Sequence, residues 1–218
     1  MRGQYLMEQL ACSVVLVAGG KSRRLGRDKV LLPWPEPKDA APGADPGPLR
    51  GTLLGATLSR LAHLSDDLIV VGRAFPAVPL FRSVPDNVPD AGPLAGIEAG
   101  LAAARYPRAL TLAADMPFLN LDLLRALVEL AEREHWDAVV PRLAEDPDPL
   151  HAVYSKNCLS AIRAALAAGQ RRMIAFLPAV RVRYVNTAEL RRYDPELRSL
   201  WNINTPEDLE QAMKHASG

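Results

Sequence analysis

The 218-residue chain is poor in the features that would mark several protein classes: it has two cysteines, 6% aromatic residues and almost no net charge. Each shortage excludes something. Cys12 and Cys158 lack metal-ligand spacing and are too few for a disulfide framework, so a reducing compartment fits and each thiol reads as packing. Lys and Arg total 26 against 25 Asp and Glu, a net charge of +1, which argues against a nucleic-acid coat or a membrane-surface protein. The apolar run from Leu10 to Ala18 is too short to span a bilayer, and Gly19-Gly20-Lys21-Ser22-Arg23-Arg24 after it is a poor signal-cleavage site. The expectation is a cytoplasmic chain with no membrane and no nucleic-acid partner. What the chain does have, 49% hydrophobic and 23% charged residues, is the composition of an ordinary globule and excludes general disorder.

Short apolar strands alternate with longer amphipathic helices. Strands are expected at 13–17, 68–71, 109–113, 138–140, 151–154 and 182–185, and helices at 53–63, 94–105, 121–134, 157–168, 171–177 and 206–215. The last helix opens with Asn204-Thr205-Pro206-Glu207-Asp208, a cap, a first-turn proline and early acids. Such alternation implies an α/β fold: a single domain over residues 1–218, with a mostly parallel sheet and helices on both faces, Rossmann-like in layout. One segment, about 33–50, breaks the pattern. Pro33, Pro35, Pro37, Pro42, Pro46 and Pro48 forbid a helix or a central strand there. It reads as a long exposed loop inserted in the first crossover, more an inert insertion than a lid, and expected to bury little.

Three places carry chemistry. At the first, the strand ending Leu16-Val17-Ala18 runs into Gly19-Gly20, then into Lys21, Arg23, Arg24, Gly26, Arg27, Asp28 and Lys29. Glycines let backbone N–H groups approach anionic oxygens, and the cations suit a polyphosphate. A P-loop is excluded, because its first glycine would have to be Val15, inside the strand. The G-x-G-x-x-G dinucleotide fingerprint is absent too. A solvated basic loop after a glycine turn explains the same residues, so both readings stay open here. At the second, an apolar strand ends in Ala113-Ala114-Asp115-Met116-Pro117. Ligands of open parallel sheets sit beyond the carboxyl ends of strands, and Mg²⁺ takes one or two carboxylates plus phosphates. Taken alone, Asp115 reads better as a turn cap, and it gains interest because Gly19-Gly20 also ends a strand on the same edge. At the third, small residues in Gly92-Pro93-Leu94-Ala95-Gly96 and at Gly100 allow close approach of a planar group, or merely of the helix to the sheet.

Taken in order, these pieces resemble the MobA-like nucleotidyltransferase family, and within it the molybdenum cofactor guanylyltransferase branch. The resemblance rests on Val17 to Lys29, Gly92-Pro93-Leu94-Ala95-Gly96, Ala114-Asp115-Met116-Pro117 and Asn202-Ile203-Asn204-Thr205-Pro206-Glu207. Weaker matches are Pro149-Leu150-His151-Ala152-Val153-Tyr154 and Gly169-Gln170-Arg171-Arg172-Met173. It implies backbone contacts to a nucleotide from Val17, Ala18 and Gly19, with Gly20, Arg24 and Gly92 around the same site and Asp86 touching the nucleotide. It further implies that Lys29 neutralises the triphosphate, that Asp115 binds Mg²⁺, and that Asn202 and Asn204 lie on the acceptor side. The implied catalytic pair is Lys29 and Asp115, and the implied substrates are GTP and molybdopterin, joined with release of pyrophosphate. A cytidylyl or sugar-phosphate nucleotidyltransferase, or a non-catalytic nucleotide-binding regulator, would use the same loop chemistry. In two places the chain departs from the family pattern. Gly72-Arg73-Ala74 stands where an asparagine commonly contacts the nucleotide, and the proline-rich segment with Arg50-Gly51-Thr52 replaces the usual Gly-Lys-Pro.

Overall fold

The structure is a computed structural model and describes residues 9–19, 28–85 and 92–216. Among the described residues one sheet is built from β1 (Ser13–Val17), β2 (Leu68–Val71), β3 (Arg82–Val84), β4 (Arg108–Ala113), β5 (Ala138–Leu143), β6 (Asp146–Pro147), β7 (His151–Ser155) and β8 (Val182–Asn186). Helices α1 (Leu53–Leu61), α2 (Pro93–Ala103), α3 (Leu121–Arg133), α4 (Cys158–Ala167), α5 (Thr187–Leu190) and α6 (Pro206–Ala216) accompany it. The spatial order is β3-β2-β1-β4-β7-β5, with β6 and β8 both joined to β5. Strands β3, β2, β1 and β4 run parallel, and β7 is antiparallel to both β4 and β5. Parallel pairing of β8 with β5 extends the sheet on that side. The expected α/β sheet, mostly parallel, is what forms.

Because side chains alternate along a strand, β1 serves two cores at once. Val14 and Leu16 join one apolar layer with Leu54 and Leu58 of α1 and Leu123 and Leu127 of α3. Val15 and Val17 join the other, with Leu94 and Ile97 of α2 and Ile162 of α4. Gly100 is where α2 meets the sheet: a Cβ there would stand 2.3 Å from Val15 Cγ1. Close packing therefore accounts for that glycine, and no planar ligand is needed.

Two expectations are corrected. The segment 171–177 is not a helix. Gly169, at φ +75°, turns the chain out of α4, and Pro178 starts a separate 3-10 turn, Leu177–Ala179. The few residues between are too short to nucleate α-helix and make i to i+3 turns instead, Ala175 N–H to Arg172 O and Leu177 N–H to Ile174 O. Phe176 still buries its ring, edge-on to Tyr154 at 5.5 Å. The proline-rich loop is also not a passive insertion. Trp34, Ala41, Pro46 and Leu49 are buried, and Trp34 joins Leu32, Leu53, Ile203 and Ala212 in a third apolar cluster. The loop is tied to α1 by Ala41 N–H to Ser59 O at 2.8 Å and by Arg60 Nε to Asp39 at 2.9 Å.

Candidate active site

The carboxyl ends of β1 and β4 lie side by side because the two strands pair in register, Val17 opposite Ala113. A cleft opens there, walled by Val17, Ala18, Gly19, Lys29, Pro93 and Asp115. Hydrogen bonds extend past the strand ends and fix its floor: Ala18 N–H donates to Val71 O at 2.8 Å and Ala114 N–H to Val17 O at 3.2 Å. Ala113 N–H donates to Leu150 O at 3.0 Å, so the start of antiparallel β7 closes one side. These bonds narrow the backbone contacts expected of residues 17–19. The N–H of Ala18 is committed to the sheet.

Lys29 begins a short 3-10 helix, Lys29–Leu31, and its ammonium is held between two oxygens. Nζ lies 3.1 Å from Asp115 Oδ2 and 2.7 Å from Asn204 Oδ1. The Lys29 and Asp115 side chains are only 18% and 19% exposed, so the pair is partly desolvated. Asn204 arrives from far along the chain because Ile203 N–H donates to Asp115 O at 3.0 Å. The turn is then locked by Asp208, whose carboxylate accepts from Asn204 N–H at 2.9 Å and Thr205 N–H at 2.8 Å. Those two N–H groups hold the Asp208 carboxyl below its ordinary range, and the Lys29 charge adds to the effect.

Two further carboxylates shape the field. Asp28 lines the cleft and forms an ion pair with Arg73. Asp148, next to the β7 edge, accepts from Leu150 N–H at 3.1 Å; burial pushes its carboxyl up, and the Asp115 charge pushes the same way. Behind the cleft His151 is fully buried, its Nδ1 3.5 Å from Met116 Sδ. Burial pulls its pKa down to about 4, against a slight opposing pull from Asp194, so the imidazole is neutral and reads as core. Cys12 and Cys158 are buried thiols pushed up to about 12 by desolvation, too weakly acidic to act as nucleophiles.

Of the residues expected in the site, Val17, Ala18, Gly19, Lys29 and Asp115 come together, and Asn204 joins them. Asn202 does not reach Lys29; its Nδ2 donates to Leu200 O at 3.3 Å. Gly92, at φ +80°, caps α2, placing Pro93 on the cleft wall. Gly20, Arg24 and Asp86 lie outside the described residues, as do Lys21, Arg23 and Arg27. Arg73 and Asp148 were not anticipated as site residues. Arg73 was visible only as part of a departure from the family pattern, and Asp148 only as the residue before Pro149.

A family model described as MobA-like NTP transferase domain matches residues 14–182, well over half the chain. The chain belongs to that family. As a MobA-like chain it is a nucleotidyltransferase, and its relatives are close in length. A probable molybdenum cofactor guanylyltransferase of Methanosarcina mazei is 36% identical over 219 residues, covering 94% of this chain and 91% of the relative. A molybdenum cofactor guanylyltransferase of Syntrophotalea carbinolica is 34% identical, with 94% and 92% covered. Among solved structures, molybdopterin-guanine dinucleotide biosynthesis protein A from Archaeoglobus fulgidus superimposes with a TM-score of 0.76 at 26% identity, covering 94% of this chain and 98% of that one. A 2-C-methyl-D-erythritol 4-phosphate cytidylyltransferase from Thermus thermophilus shares the MobA-like fold, with a TM-score of 0.66 at 19% identity. Within the described residues no helix is long and apolar enough to cross a membrane.

Proposed function

We propose that this protein transfers GMP from GTP to the phosphate of molybdopterin, in the cytoplasm, with Mg²⁺ as cofactor. The observation that carries the reading is the Lys29 ammonium held between Asp115 and Asn204 at the adjoining carboxyl ends of β1 and β4. A cation suited to a polyphosphate, a carboxylate suited to a metal and an amide suited to a second substrate meet at one point, which supports the reading. The relatives named as guanylyltransferases support GTP and molybdopterin as the substrate pair.

The donor set suits Mg²⁺. Asp115, beside Lys29 in the cleft, is the carboxylate that would hold it, and Mg²⁺ favours one or two carboxylates together with phosphates. When bound, it would supply positive charge to the phosphate oxygens around the reacting phosphorus. The chain's own residues do the rest. The acceptor phosphate is already an anion, so no general base is required. Its oxygen forms a bond to the α-phosphorus while the α–β anhydride bond breaks, and pyrophosphate leaves with the electron pair. Lys29 neutralises charge on the triphosphate, the Gly19 N–H donates to it, and Asn204 positions the second substrate for in-line approach.

The test is steady-state pyrophosphate release with molybdopterin, Mg²⁺ and each of GTP, CTP, ATP and UTP. GTP should be used at least about tenfold more efficiently than the others, a difference of about 1.4 kcal/mol at the transition state. Preference for CTP would overturn the reading in favour of cytidylyl transfer. Binding of GTP without any turnover would leave a nucleotide-binding regulator.

A further inference from the structure

We propose that Arg73 is a positioning residue of the nucleotide cleft, neutralising Asp28 and holding it off the phosphate site so that Lys29 meets the triphosphate unopposed. The inference rests on reading the cleft as a triphosphate site. Asp28 is the difficulty that Arg73 resolves: it is a carboxylate on the cleft wall, one residue before Lys29. A carboxylate so placed would repel phosphate and compete for the lysine. Instead each of the two residues meets an opposite charge elsewhere. Lys29 turns to Asp115 and Asn204, and Arg73 takes Asp28.

Arg73 is well held for this. Its guanidinium lies 5.4 Å above the Phe75 ring, and Phe75 packs edge-on to buried Phe81 at 6.0 Å. Phe75 N–H also donates to Ser83 Oγ at 3.2 Å. On the other side, Gly72 N–H donates to Val84 O at 3.2 Å, and Gly72 presses against the Gly19 backbone. Consecutive residues after β2 therefore grip Gly19 and Asp28, which flank the basic stretch of the first loop. The guanidinium is anchored to the sheet edge rather than free to follow Asp28. Both side chains of the pair are about one-third exposed, at 36% and 35%, so water weakens the attraction without abolishing it.

The experiment is calorimetric titration of the full chain with GTP and, separately, with inorganic triphosphate, alongside melting temperatures. The proteins are wild type, Arg73→Ala, Arg73→Lys and the double variant Arg73→Ala with Asp28→Asn. Arg73→Ala should weaken both ligands by about tenfold or more, because an unmasked charge acts on phosphate whatever base is attached. Arg73→Lys should keep most of the affinity. The double variant, lacking both charges, should return to within about threefold of wild type. A double variant as weak as Arg73→Ala would overturn the proposal, and so would a loss confined to GTP, which would make Arg73 a base-reading residue. If wild type binds neither ligand, the triphosphate reading of the cleft fails. If wild type binds both and the double variant is not rescued, only the role of Arg73 fails.

Discussion

Gly72 offers a sharp test of how the cleft floor is built. Its backbone sits at φ +101°, and a Cβ there would lie 2.7 Å from both Gly19 Cα and Gly19 N. Adding a methyl group by Gly72→Ala incurs two costs. Left-handed backbone in a residue with a Cβ costs about 1–3 kcal/mol, and forced overpacking costs a similar amount. Together these give roughly 2–6 kcal/mol, which for a chain of about 200 residues lowers Tm by roughly 4–24 °C. The atoms in the way are backbone, so the strain is relieved by moving Gly19, a wall of the cleft. GTP affinity should therefore fall along with Tm. Gly43→Ala is the internal control: its φ is +76°, but nothing lies within 4 Å of the new Cβ. That variant should lose about 1 kcal/mol from backbone strain alone and bind GTP as wild type does. Thermal melts and GTP titrations on both variants decide the matter. Wild-type stability and affinity in Gly72→Ala would refute the close approach of β2 to the first loop.

Other expected outcomes rest on the same geometry. Asp115→Asn should cut pyrophosphate release by roughly 10²-fold or more, with kcat affected more than KM and a changed Mg²⁺ dependence, as when a preorganised charge is lost. Lys29→Ala should fold normally yet bind GTP more weakly and turn over more slowly, measured by the same assay with a melting curve as control. Deleting residues 36–47 removes buried Ala41 and Pro46 and the Ala41–Ser59 hydrogen bond, so Tm should drop by about 3–10 °C rather than stay fixed. His151, with its folded pKa at about 4 against an ordinary 6.5, is protonated more readily unfolded. Its contribution is therefore complete above pH 6.5 and is lost as pH falls towards 4, roughly 3 kcal/mol in all. Urea midpoints at pH 7 and 4.5 should show this fall in wild type, and His151→Gln should flatten it.

The elements that announced themselves were those whose burial is written into a continuous apolar run. Val14 to Val17 ends in glycines, Leu68 to Val71 is apolar throughout, and both strands begin and end where their sequences suggest. Strand β3 did not announce itself, because Arg82-Ser83-Val84 is an edge strand with little burial, defined by its parallel pairing with β2. Helix α5 is four residues long; its signal was the capping box of Asn186 and Glu189, a local cue easily outweighed by the strand before it. Segment 171–177 has helical apolar spacing, but Gly169 at positive φ and the shortness of the stretch before the Leu177–Ala179 3-10 turn override it. In the site, Lys29 and Asp115 stood out because glycines and a strand end marked them. The Arg73–Asp28 pair spans 45 positions and the Lys29–Asn204 bond 175, and only the adjacency of strands and the docking of the last helix bring them together.

The bond from Ile203 N–H to Asp115 O has a consequence for the order in which the protein is made. The segment matched by the family model stops at residue 182, yet the lysine of the cleft takes one of its partners from residue 204. A ribosome that has released the chain only through β7 has exposed Lys29 and Asp115 without the amide that holds the lysine in place. The site is thus finished from the far end, when the turn before α6 docks under the Asp208 cap. A chain cut before residue 203 would keep the Lys29 and Asp115 charges but lack the amide that holds the lysine.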